Sequence, residues 1–175
     1  MEDSLGAYID RLELMFFFSG YALPFIIITI FARKVWSPVT TRRLLSFLPL
    51  GYALAGTLYL GLQLKNLYPD FSQITDHFQH SFLKIFSLLS ILFWLPALRK
   101  RPLLSLLHGL VFFFLMIRNI YRELSIPSGG NDFLKNDIKI FSASIILNLA
   151  TLTMLIFISW FVARFKRQLR STHTS

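Results

Sequence analysis

The chain contains no cysteine. Disulfides, thiolate metal sites, thiol catalysis and Cys-attached haem are therefore excluded. Acidic residues are scarce as well: nine, against eighteen Lys and Arg, giving a formal net charge of +9. The sequence also lacks the Gly-rich phosphate loops, dinucleotide fingerprints and nucleophile elbows that would announce a soluble enzyme. Ser81 and Ser128 are available hydroxyls, but neither stands in a context that would activate it.

The few acids occupy only three places. Glu2, Asp3, Asp10 and Glu13 lie near the N-terminus, Asp70 and Asp76 lie around 66–80, and Glu123, Asp132 and Asp137 lie around 123–137. The intervening polar stretches hold only bases: Arg33, Lys34, Arg42 and Arg43; Arg99, Lys100 and Arg101; Arg164, Lys166, Arg167 and Arg170. Linkers that alternate in charge are expected of a multi-pass membrane protein whose basic loops stay in the cytoplasm. The positive charge thus points to orientation and to anionic headgroups rather than to nucleic acid.

What the chain has in abundance is apolar. It is 54% hydrophobic with nineteen Phe, and its mean hydropathy is +0.57. Five runs approach the roughly 20 residues needed to cross a hydrocarbon core of about 30 Å. They are 14–32, 44–64, 78–98, 102–121 and 138–163, followed by a basic tail at 164–175. An isolated span must satisfy its own backbone, so all five are expected to be α-helices. The fold class is an all-α bundle of five transmembrane helices in one domain, N-terminus outside and C-terminus cytoplasmic. The acidic N-terminus lacks the basic n-region of a signal peptide, so the first run is expected to be retained. A bacterial inner membrane is the expected location.

Pro24 and Pro49 should kink spans one and two. Ala53, Thr57 and Gly61 recur every fourth residue, a small-residue face suited to helix packing. Asp70 and Gln73 form a possible capping box ahead of span three. Residues 125–137 read as a loop.

Polar groups inside a bilayer are costly, which makes them the first place to look for function. Span three carries Gln73, Asp76, His77, His80, Lys84 and Ser87 at spacings of three and four, which share one helical face. At 1.5 Å per residue, Lys84, Arg118 and Asn148 lie roughly 21, 24 and 21 Å from the inner ends of their spans. They would define one layer of the outer leaflet, with His77, His80, Asn119, Arg122 and Glu123 above it, joined by Asp10 and Glu13 if span one reaches that level. The expected ligand-binding set is Lys84, Arg118, Arg122, Asn148, His77, His80 and Asp76. Its ligand would be an anionic molecule, a lipid headgroup or a partner helix.

The structural alternative is that Lys84 and Arg118 snorkel to headgroups and Asn148 bonds a neighbouring helix. If there is catalysis, His80 oriented by Asp76 would be the acid–base group, acting on a lipid-linked or phosphorylated substrate. The reading leans against an enzyme, and a transport or proton-relay role ranks behind both. No cofactor is expected. His77 and His80 are a weak metal pair, and Lys84 nearby repels a cation. His108, roughly 9 Å from the inner face, lies too far from His80 to share a haem with it. Expected partners are the bilayer and another membrane subunit or a second copy.

Overall fold

A computed structural model describes residues 2–35, 37–68, 82–125 and 131–172. Nearly all of these residues are helical, with no strand among them. The elements are α1 (Glu2–Phe18), α2 (Ala22–Val35), α3 (Pro38–Leu67), α4 (Phe82–Leu88), a 3-10 segment (Leu89–Trp94), α5 (Pro96–Arg99), α6 (Pro102–Leu124) and α7 (Asn131–Thr172). Among the described residues, four stretches are long and apolar enough to cross a membrane: Tyr8–Ala32, Pro38–Leu67, Pro102–Leu124 and Leu134–Phe165. The capping-box residues Asp70 and Gln73 lie outside the described residues, as do residues 126–130 of the loop expected at 125–137, and the rest of that loop, from Asn131 on, is helix instead.

The first of these stretches is broken. Helix α1 ends at Phe18 and α2 starts at Ala22. Pro24 has no N–H and cannot complete a continuous helix across this point. The Tyr21 amide bonds the Phe18 carbonyl at 3.4 Å instead of reaching Phe17. Helix α7 satisfies the two groups left over. Asn148 Nδ2 donates to the Phe17 carbonyl at 3.0 Å, and Ser144 Oγ accepts from the Gly20 amide at 2.8 Å. A break inside a membrane is tolerated only where protein supplies such partners.

The stretch expected to be the third uniform span is interrupted. Its described apolar part, Phe82–Trp94, has seven α and six 3-10 residues. It rises only about 22 Å, short of a hydrocarbon core of about 30 Å. Leu95 is extended (φ −67°, ψ 133°), because the residue before a proline is pushed out of the α region and Pro96 follows. The segment runs beside α3. Ser90 sits against Gly56, and Trp94 Nε1 donates to Thr57 Oγ1 at 3.0 Å. It then leads through Arg99 to Pro102 and α6.

Two further boundaries move. Helix α7 starts at Asn131 and continues through the expected tail to Thr172, 42 residues in all. No Gly or Pro occurs between those ends to stop it. Helix α3 begins at Pro38, where Ser37 Oγ accepts from the Thr40 amide at 3.4 Å, and it runs without interruption through Pro49.

The core is aromatic. Phe18 packs against Tyr52, Tyr59 and Phe112 at centroid distances of 5.7, 5.4 and 5.0 Å. The close approaches in the bundle are at Gly20 and Gly51 against α7, Gly56 against Ser90 and Gly109 against the Tyr21 ring. Gly61 has no such neighbour within 4 Å, so the expected 53/57/61 face is not the packing seam. About half of the apolar window of each of the first two spans is buried, against 28% for α6 and 17% for α7. Helices α1–α3 therefore form the centre, and α6 and α7 leave most of their apolar surface uncovered by the rest of the chain.

Candidate functional site

The end of the bundle that holds the acids is organised by one turn of α1. Asp10, Arg11 and Glu13 reach three different neighbours. Asp10 Oδ2 pairs with Lys84 Nζ of α4 at 2.5 Å. Arg11 donates to Asn119 Oδ1 of α6. Glu13 accepts from Gln63 Nε2 at 3.2 Å and from Asn66 Nδ2 at 3.4 Å, both on α3. Asp10 and Glu13, three apart, lie about 60° from each other, and Arg11 lies about 100° to the other side of Asp10, so the three cover about 160° of helix circumference. One turn can thus bind several helices.

Around this turn lie Arg118, Arg122, Glu123 and Asp137. Arg11 is within electrostatic range of Arg118, Arg122 and Asp137, and Asp137 is within range of Glu123. Four cations (Arg11, Lys84, Arg118, Arg122) face four carboxylates (Asp10, Glu13, Glu123, Asp137), so the cluster is formally neutral. The balance is uneven in detail. Asp10 and Lys84 form a tight pair, whereas Arg122 meets Glu123 at 3.6 Å with most of its side chain exposed. Glu13 is held by amides, and Arg118 is exposed and makes no hydrogen bond or ion pair among the described residues.

The residues expected to form one pocket are distributed. Lys84 is buried in its pair with Asp10. Asn148 is buried at the break in the first span, where Nδ2 also donates to the Ser144 carbonyl at 2.8 Å. Arg118 and Arg122 stand together on α6 beside Arg11. Lys84 and Arg118 thus both lie around the Asp10–Glu13 turn, one paired and one exposed, whereas Asn148 is engaged at the break. The physical reason is helix rotation, which axial depth does not fix. Asp76, His77 and His80 lie outside the described residues. Among the described residues, no group of three or more His, Asp or Glu is placed to hold a metal. Sequence reading passed over Arg11, Gln63 and Asn66. Their signal was present, since an Arg between two acids near a helix start, and two amides three apart at a helix end, are partner-seeking polar groups in an apolar setting.

A second polar group lies deeper. His108 Nε2 is 2.9 Å from the Phe86 carbonyl and Nδ1 is 2.7 Å from the Tyr52 hydroxyl. A carbonyl only accepts, so Nε2 carries the proton, and in the neutral ring Tyr52 donates to Nδ1. The ring stacks on Phe86 with centroids 4.2 Å apart. Tyr21 and Ser105 hydroxyls bond at 2.8 Å, and Ser105 also bonds the Pro102 carbonyl at 2.7 Å. These groups lock α6 to the bundle, with both nitrogens of His108 engaged.

Comparison of the chain with protein-family models, curated proteins and solved structures gives no match in any of the three.

Proposed function

We propose that this protein is a membrane-embedded binding or accessory subunit that holds an anionic group at the acid-bearing end of its bundle. The observation that carries the reading is the pairing state of the arginines. Arg118 is exposed without a described partner, and the largely exposed Arg122 is only loosely paired, one turn away on α6. Arg11 reinforces the positive field from α1. Guanidinium forks suit phosphate or carboxylate groups, and their bonds strengthen where headgroups limit water. Lys84, spent on Asp10, belongs to the scaffold in this reading. The occupant is a lipid phosphate or a carboxylate of a partner subunit. Native mass spectrometry of the detergent-released protein should show the wild type carrying such a species. Arg118→Ala/Arg122→Ala should lose it while inserting normally. A wild type that carries nothing, or a double variant that keeps its cargo, would overturn the reading.

The proposal includes an orientation. The basic end, with Arg42, Arg43, Arg99, Lys100, Arg101 and Arg164, faces the cytoplasm of a bacterial inner membrane, as the charge rule favours. The interrupted stretch from Phe82 to Arg99 supplies a fifth crossing, supported by partners at both of its ends. The absence of native cysteine makes this measurable. Single cysteines placed at Tyr68, Arg101 and Ser125 should react with an impermeant maleimide from outside, only after permeabilisation, and from outside, respectively. Labelling of Tyr68 and Arg101 from the same side would refute the fifth crossing.

A further inference from the structure

At the opposite, basic end, α3 and α7 enclose a groove of about 530 Å³. Its polar rim holds Thr40 and Arg43 from α3 and Ser159 and Arg164 from α7. Its floor is Leu44, Phe47, Ile156, Trp160 and Ala163. The Arg164 guanidinium lies 5.4 Å from the Trp160 ring centroid, so the ring holds it at the groove. Arg43 also lines a neighbouring cavity of about 440 Å³ with Pro38, Val39, Arg42 and Ser46. Thr40 and Arg43 stand in the first turns of α3, where the helix dipole favours negative charge.

We propose that this groove is a binding site for the phosphate of an anionic phospholipid. Three observations converge on that occupant. The two arginines come from different helices and flank one concavity, and none of the nine carboxylates occurs in the basic stretches around it. The floor is apolar and formed by residues of two membrane-spanning helices, so an acyl chain can follow Phe47 and Ile156 inward from a phosphate at the rim. Trp160 is the amphipathic ring expected at headgroup level. A free anion would use the rim and leave the floor bare, whereas a lipid uses both. Basic pockets between spans are the physical setting for selective headgroup recognition. The inference is independent of the arginines at the acid-bearing end, because no residue is shared.

The test places the intact protein in phosphatidylcholine nanodiscs with or without phosphatidylglycerol and counts lipids retained on release by native mass spectrometry. The wild type should retain phosphatidylglycerol in preference to phosphatidylcholine. Arg43→Ala/Arg164→Ala should weaken that retention about tenfold or more, since each base near the surface contributes to anionic-lipid binding. Ala163→Trp, which fills the floor, should weaken it too. Arg99→Ala/Lys100→Ala, at the same end but outside the groove, should not. Circular dichroism and gel filtration verify that each variant is folded, and if Ala163→Trp does not fold, the double arginine variant decides. Lack of lipid preference, or equal loss in the Arg99/Lys100 variant, would overturn the proposal in favour of diffuse surface attraction. Displacement of the lipid by inorganic phosphate alone would overturn it in favour of a free-anion site.

Discussion

Gly20→Ala is expected to destabilise the bundle by about 3 kcal/mol or more, at the top of the range for overpacking. A Cβ at Gly20 would stand 2.3 Å from the Ile145 amide nitrogen and 2.5 Å from the Ser144 carbonyl carbon. Both atoms are backbone, in the middle of a 42-residue helix, and no rotamer change removes them. Helix α7 must therefore retreat. In doing so it stretches the Gly20–Ser144 bond and the Asn148–Phe17 bond, which satisfy the broken first span. Buried groups at a helix break find no water in the bilayer to replace those partners. The other glycines provide the controls. Gly51→Ala meets Leu152 at 3.4 Å and should be tolerated with a small cost. Gly61→Ala meets nothing within 4 Å and should be neutral or gain about 0.5–1 kcal/mol from helix propensity. Unfolding midpoints in mixed micelles would rank the three variants. A Gly20→Ala protein as stable as the wild type would show that α1 and α7 do not meet this closely.

The same break shows what sequence could and could not deliver. Apolar runs and charge alternation located the helices, because hydrocarbon imposes length and the bilayer imposes a polarity pattern along the chain. Pro24 marked the disturbance in the first span. Nothing linear indicated that Ser144 and Asn148, more than 120 residues later, would satisfy it. That depends on which face α7 turns inward, and a helix that is apolar on all sides carries no periodic signal of its rotation. The third stretch was misjudged as uniform although Pro96 was visible within it, since length and hydropathy alone do not register a 3-10 segment. For the candidate site, axial depth was legible and azimuth was not. Lys84, Arg118 and Asn148 share similar distances along their helices, yet they turn to Asp10, to the surface and to the Phe17 carbonyl. The basic groove was missed for a related reason. Arg43 and Arg164 read in sequence only as members of separate basic stretches that set orientation and meet anionic headgroups, and it takes packing to put them on one concavity.

Asp10 and Lys84 should show a pronounced asymmetry when removed one at a time. Lys84 is 4% exposed, while Asp10 keeps 35% of its side chain in contact with solvent. Asp10→Asn removes the carboxylate 2.5 Å from a buried ammonium, and breaking a buried pair in this way costs about 3–5 kcal/mol. Lys84→Met removes the buried charge and leaves a carboxylate that water can reach, so its cost should be nearer 1 kcal/mol. The double variant Asp10→Asn/Lys84→Met should then be more stable than Asp10→Asn alone, because the buried ammonium that lost its carboxylate is gone. The pair should also resist salt, unlike the Arg122–Glu123 contact, whose arginine is 64% exposed. A full double-mutant cycle measured by unfolding in micelles at low and high salt would test each step. Equal costs for the two single variants, or a coupling near zero, would mean that the ion pair does not join α4 to α1. The start of the interrupted stretch would then be fixed by its contacts with α3, at Ser90 and Trp94, rather than by charge.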